Sequence, residues 1–386
     1  MTCPHCAEPI AAGDAFCEAC GTDLGALAGT APATAPAVAG AAHDDPITAP
    51  SPAPEQPRTH LLQPGGGSGV DTSLPCAACG AEVADDGFCT VCGQRARTRR
   101  EHWTETHERA GAPAIGAVCD KGISHARNED AMATALTATG LAVVVVCDGV
   151  TTAPDSDRAS LAASASARDV LAAAPASTGA FAARLSAWEP VLAASCRAAN
   201  AEAVAIARTL GDPPEPPSCT FVAAVVDDDL IAIAWCGDSR AYWLPDGDAS
   251  VGAGDNGEQL TLDHSLGTEM IRNGMSREQA EADPTCHTIT RWLGADSVDA
   301  TPEFRALRVE RAGWLLVCSD GMWNYASGPG DLAALVAQAV VDGADTPTAI
   351  AESLAAFANA QGGHDNITVA LVRCEPPGSG TPPTTT

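Results

Sequence analysis

The chain has 386 residues, a formal net charge of −28 and a hydrophobic fraction of 46%, with aromatic residues at only 4%. That charge argues against non-specific binding to nucleic acid or to an anionic membrane surface, because both need a basic face. No apolar run reaches the roughly 18–20 residues that span a bilayer, and Met1-Thr2-Cys3-Pro4-His5-Cys6 has neither the basic start nor the apolar stretch of a signal peptide. The expectation is a cytoplasmic protein without a membrane or nucleic-acid partner, with a core built from Ala, Val and Leu. Lys121 is the only lysine, the other cations being arginines.

In chain order, the first element is a cysteine unit over residues 1–25, Cys3-x2-Cys6-x10-Cys17-x2-Cys20-Gly21. It recurs over 76–93 as Cys76-x2-Cys79-x9-Cys89-x2-Cys92-Gly93, with Phe16 and Phe88 each just before the third cysteine. Paired Cys-x2-Cys knuckles match tetrahedral zinc, and so short a unit must draw much of its folding energy from the metal. Two structural Zn2+ are expected, one on Cys3, Cys6, Cys17 and Cys20 and one on Cys76, Cys79, Cys89 and Cys92; a redox dithiol is the competing reading. Each copy carries few basic residues of its own, so docking of a regulatory partner is the expected use. Residues 26–75, rich in Ala, Pro, Gly and Thr, read as a flexible linker. Residues 94–112, with Arg95, Arg97, Arg99 and Arg100, read as a second, charged linker.

From 113 to 374 strands mix with Ala-rich helices, and 375–386 reads as a loose tail. Thr220–Val226 and Leu230–Trp235, separated by Asp227-Asp228-Asp229, predict a hairpin. Helices are expected near 157–175, 181–210, 331–342 and 346–361. Leu266–Thr288 is polar and mixed, and reads as an excursion from the sheet. Eight cysteines from Cys119 to Cys374 lie mostly in apolar runs and are expected as buried packing residues.

Four aspartates sit beside strand-like apolar runs: Val143-Val144-Val145-Val146-Cys147-Asp148-Gly149, Trp235-Cys236-Gly237-Asp238-Ser239-Arg240, Leu315-Leu316-Val317-Cys318-Ser319-Asp320-Gly321 and His364-Asp365-Asn366-Ile367-Thr368-Val369. One Asp-Gly at a strand end is a turn. Four such carboxylates in one chain are rigidly held oxygen ligands for a hard cation such as Mg2+ or Mn2+, and point to a metal-dependent hydrolase.

Together with Asp120-Lys121-Gly122-Ile123-Ser124-His125-Ala126-Arg127-Asn128-Glu129-Asp130-Ala131, these segments resemble the metal-dependent Ser/Thr protein phosphatases of type 2C, from about 115 to 373. The resemblance implies an α+β fold, an α-β-β-α four-layer sandwich of two antiparallel sheets, with a binuclear Mn2+/Mg2+ centre between them. Asp148 then matches the carboxylate bridging both metals, and the carbonyl of Gly149 a ligand of the second. Glu129 and Asp130 match the acidic pair at the second metal, Asp320 and Asp365 the ligands of the first, and Asp238 the residue that helps hold a third. Phosphoproteins modified on Ser or Thr are the implied substrates. Two metals about 3.5–4 Å apart can bind one water and aim the resulting hydroxide at the phosphate, so no protein nucleophile is needed. A catalytically weak phosphoprotein-binding scaffold is the alternative.

Two departures from the family pattern stand out. The position of a phosphate-gripping arginine is taken by His125, with Arg127 two residues later. His125 takes over the contact or the acid role, or Arg127 reaches the phosphate, or His125 is a plain structural histidine. The usual Asp-Gly-Met-Gly-Gly becomes Asp148-Gly149-Val150-Thr151-Thr152.

Overall fold

A computed structural model describes the chain between Cys76 and Pro376, apart from residues 77–78, 85–86, 94, 97, 110–111, 151–152, 176, 248–256, 277–278 and 281. The first cysteine unit, the 26–75 linker and most of the C-terminal tail lie outside the described residues. The run Ala142–Cys147 (β4) shows how sequence becomes architecture. All six residues are buried, because alternate side chains of a strand face opposite ways and both faces are covered. Val144 and Val146 join the core between two sheets, while Val143 and Val145 pack against helices.

The first sheet has five antiparallel strands in the order β11-β7-β6-β4-β3. These are Glu303–Arg308 (β11), Leu230–Cys236 (β7), Phe221–Asp227 (β6), β4 and Ala131–Leu136 (β3). The second has six, in the order β1-β2-β13-β12-β8-β9. They are His102–Arg109 (β1), Ala112–Asp120 (β2), Ile367–Cys374 (β13), Gly313–Cys318 (β12), Arg240–Pro245 (β8) and Glu258–Gln259 (β9). A short pair, Ser218–Cys219 (β5) with Leu293–Gly294 (β10), stands apart. Helices Ser156–Ala172 (α1) and Phe181–Thr209 (α2) cover the five-stranded sheet. Helices Pro329–Val341 (α5) and Pro347–Ala360 (α6) cover the six-stranded one. The result is the expected four-layer α-β-β-α sandwich. Two smaller helices, Leu266–Arg272 (α3) and Asp320–Trp323 (α4), complete the described set.

Local chemistry sets these elements. α1 buries Ala159, Ala163 and Ala167 with Leu171, small side chains at helical spacing that bring it close to the sheet. α2 buries Trp188, Leu192 and Cys196, each large apolar side chain worth about 1.5–3 kcal/mol when fully covered. The β6–β7 hairpin turns at Asp228, whose φ of 51° is a conformation that short polar side chains tolerate. Arg184 of α2 braces that turn, donating to the Asp227 carbonyl at 2.8 Å and pairing with Asp229.

The 94–112 linker is corrected by the fold, because His102–Arg109 is an edge strand paired antiparallel with β2. Its charged residues alternate with contacts that hold it. Trp103 packs against the inter-sheet core, and Glu105 accepts from the Thr134 amide at 2.8 Å and its hydroxyl at 2.5 Å. An edge strand needs no second apolar face, so the segment lacks the hydrophobic run by which a central strand is recognised.

Candidate active site

Strand register gathers the acidic residues at one end of the sandwich. Ala131 pairs with Cys147, so Asp130 and Asp148 leave neighbouring strand ends. On the other sheet Cys318 pairs with both Val369 and Arg240, which brings together the ends that carry Asp320, Asp365 and Asp238. Asp320 opens α4, directly after Ser319. Gly149 must be glycine, since a Cβ there would lie 2.6 Å from the Glu129 carbonyl. That contact locks the Asp148-Gly149 turn onto the Glu129-Asp130 segment.

Asp130 is fully buried, and its Oδ2 accepts from the Ser319 hydroxyl at 2.6 Å and the Thr368 hydroxyl at 2.7 Å. Its Oδ1 has no partner, and neither does the buried Oδ1 of Asp320. The charges of Asp130 and Asp320 both act on Asp148. Burial raises Asp130, Asp148, Asp238, Asp320 and Asp365, and in all but Asp365 acidic neighbours add to it. The carboxyls of Asp148 and Asp320 are pushed well above the ordinary range by desolvation and by their acidic neighbours. Desolvation raises Asp130 to about 6 against the two hydroxyls that hold it, and desolvation with Asp263 raises Asp238 to about 7. Asp365 is also raised by burial, partly offset by His125. Carboxylates so placed cannot all ionise without cations among them.

Asn366 fixes the loop opposite. Its Oδ1 accepts from the Glu129 amide at 2.7 Å, and its Nδ2 donates to the carbonyls of Lys121 and Arg127 at 2.7 and 3.0 Å. His125 places Nε2 3.3 Å from Asp365 Oδ1. Arg127 donates to Glu129 Oε1 at 2.6 Å, its side chain still 51% exposed. Ser319, Thr368 and Asn366 were missed as site residues. They lie inside the quoted Ser-Asp-Gly and Asp-Asn-Ile-Thr stretches, but nothing in the sequence aims their side chains.

The second cysteine unit forms a separate cluster. The Sγ atoms of Cys76, Cys79, Cys89 and Cys92 all lie within 4.8 Å of one another. Hydrogen bonds from the amides of Cys92 and Val91 draw Cys89 down to about 6, which favours the thiolate that binds zinc. Among the described residues no three carboxylates close to that spacing, so the acidic site is a wider, more open arrangement. Cys3, Cys6, Cys17 and Cys20 lie outside the described residues. The eight cysteines from Cys119 to Cys374 are all buried.

Residues 122–359 match the protein phosphatase 2C family. The chain belongs to that family. Residues 3–93 match the double zinc ribbon family, so this family member carries ribbons ahead of its phosphatase 2C region. Protein phosphatase PhpP of Streptococcus pneumoniae is 38% identical over 139 residues, 35% of this chain and 53% of that protein. The chain thus matches about half the length of that curated relative. The serine/threonine phosphatase of S. agalactiae superposes with a TM-score of 0.55 at 25% identity, covering 71% of this chain and 100% of its own. The catalytic domain of the phosphatase PstP, in complex with two manganese ions, superposes with a TM-score of 0.50 at 22% identity, covering 68% and 98%. No helix among the described residues is long and apolar enough to cross a membrane.

Proposed function

We propose that this phosphatase 2C-family chain is a Mn2+- or Mg2+-dependent phosphatase acting on phospho-Ser and phospho-Thr in proteins. The observation that carries this reading is the pair of buried carboxylate oxygens without a partner, Asp130 Oδ1 and Asp320 Oδ1, within a cluster of mutually repelling acids. Unpaired buried acceptors are costly, and hard divalent cations are their natural complement. Asp148 would be shared between two ions, with Asp320 and Asp365 completing one and Glu129, Asp130 and the Gly149 carbonyl serving the other. Asp238 would help hold a third. The manganese pair in the fold's PstP relative supports a two-ion reading.

Bound divalent cations supply positive charge against the phosphate dianion and Lewis acidity toward a water. The chain's own residues do the rest. Ser319 and Thr368 hold Asp130 through Oδ2 and leave Oδ1 as its open acceptor. His125 Nε2, beside Asp365, can hold and hand over a proton at the leaving oxygen. Arg127 gives one N–H to Glu129 and keeps a half-exposed fork for an anion. Burial pushes the Cys119, Cys196 and Cys318 thiols strongly up, which disfavours these three as nucleophiles.

The two four-cysteine units would each hold one structural Zn2+ and serve for docking or regulation. The test is aryl-phosphate turnover with added Mn2+. Turnover that chelation abolishes, Mn2+ restores and Asp320→Asn removes supports the proposal; turnover that survives Asp320→Asn defeats it.

A further inference from the structure

The segment between the second cysteine unit and β1 is bonded at both ends. On the cysteine side, the Ala96 amide donates to the Gly87 carbonyl at 2.7 Å, Ala96 packs with Cys76, Val83 and Cys89, and Arg95 bridges to Phe88. On the sheet side, the Arg100 guanidinium lies 4.9 Å over the Trp103 ring and reaches the Asp157 carbonyl at 3.5 Å. Its Nε and Nη1 are buried without a partner among the described residues, so the segment is pressed into the catalytic region and not loosely draped over it.

Glu101 is the junction. Its carboxylate accepts from Arg95 Nη2 at 2.7 Å and from the Thr98 amide at 2.6 Å. Its carbonyl accepts from the Lys121 amide at 2.8 Å, and Lys121 Nζ lies 4.0 Å from Oε1. Lys121 Nζ then donates to the His125 carbonyl at 3.0 Å, and the His125 ring meets Asp365 at 3.3 Å. The base of the His125 loop is held elsewhere, by the Ile123 and Ser124 amides on the Gly363 carbonyl at 2.9 and 3.1 Å. The His125 carbonyl itself is held by Lys121, the chain's only lysine.

We propose that Glu101 and Lys121 are positioning residues through which the second four-cysteine unit holds the His125 loop against Asp365. The proposal rests on the phosphatase reading for its consequence on turnover, but its geometry stands apart from it. Arg95 makes a charge-assisted bond to Glu101, and Glu101 in turn holds Lys121 through its carbonyl on the Lys121 amide and an ion pair at 4.0 Å. A cluster that has lost its fold can no longer fix Ala96 and Arg95. Glu101 then loses one of its two cationic neighbours, and Lys121 its orientation.

The experiment uses the full chain, zinc-loaded, with Glu101→Gln, Lys121→Met, Lys121→Arg and Cys79→Ser. Amide exchange over residues 121–128 is followed by mass spectrometry, alongside turnover of a phosphothreonine peptide and of an aryl phosphate. Exchange at the loop should rise about tenfold in Lys121→Met, the order expected for one hydrogen bond from a charged group, and by a smaller factor in Glu101→Gln, which removes an ion pair. It should rise likewise in Cys79→Ser and return toward wild type in Lys121→Arg. Peptide turnover should fall several-fold further than aryl-phosphate turnover, because an alkoxide leaving group needs a well-placed proton donor and a phenolate does not. Unchanged loop exchange in correctly folded Glu101→Gln and Lys121→Met would overturn the proposal. A response in those two but none in Cys79→Ser would overturn the part assigned to the cysteine unit. A wild-type chain with no turnover at all would defeat the phosphatase reading, while the exchange comparison would still decide the coupling.

Discussion

Replacing Asp238 with Asn should stabilise the protein when its divalent cations are absent, and only above acidic pH. Asp238 is 7% exposed, and burial with the nearby Asp263 carboxylate raises its pKa from 3.8 to about 7. At about 1.4 kcal/mol per pKa unit, ionising it in the folded, cation-free chain costs about 4 kcal/mol. The unfolded chain releases this proton near 3.8 and the folded chain near 7, so between those values the folded state binds more protons. Stability therefore falls as pH rises through that window, is unaffected below it and bears the full penalty above it. Asn removes the charge but adds an amide that needs its own partners, so about half of the penalty, ~2 kcal/mol, should be recovered. At about 2–4 °C per kcal/mol for a domain of this size, that is a rise of about 4–8 °C in Tm. The assay is scanning calorimetry on protein dialysed free of Mn2+ and Mg2+ with zinc retained, at about pH 4 and about pH 7.5. The gain should be present at the higher pH and nearly absent at the lower. A variant that melts no higher at neutral pH, or a difference that ignores pH, would refute the electrostatic account of the cluster.

Ser319→Ala and Thr368→Val each remove one hydroxyl from Asp130 Oδ2. Each should weaken Mn2+ binding, read by titration calorimetry, and cost about 1–3 kcal/mol of stability. Gly149→Ala should abolish Mn2+ binding or folding, because its Cβ would sit 2.6 Å from the Glu129 carbonyl. A chain starting at residue 113 lacks β1, Arg100 and the Trp103 packing, and should melt well below one starting at residue 76. Equal melting of the two truncations would show that β1 is dispensable.

The parts of the fold that were legible are those whose burial is continuous along the chain. β4 and the β6–β7 hairpin are apolar on both faces, and the hairpin turns through the two aspartates Asp228 and Asp229. α1 and α2 announce themselves by Ala and Leu over more than four turns. β1 is hidden in the sequence because half of its residues face solvent and, Trp103 apart, the others meet polar partners such as Thr134. The acidic residues could be named from their strand ends, since a carboxylate beside a buried run has few other uses. Their hydroxyl donors could not, because Ser319 and Thr368 approach Asp130 across separations of 189 and 238 residues. The Arg95–Glu101–Lys121–His125 path is hidden for a different reason. Each step joins ordinary surface-type residues, and only the docking of the 95–101 segment makes them a line.

The measurement that tests the central claim most directly is the release of phosphate from a phosphothreonine peptide by the full chain with Mn2+, set against Asp148→Ala. Asp130, Asp320, Asp365 and Asp238 all act on Asp148. The account predicts Mn2+-dependent release by the wild type and none above background by a folded Asp148→Ala variant. Equal release by both, or a wild type that binds Mn2+ yet releases no phosphate from any peptide, would contradict it.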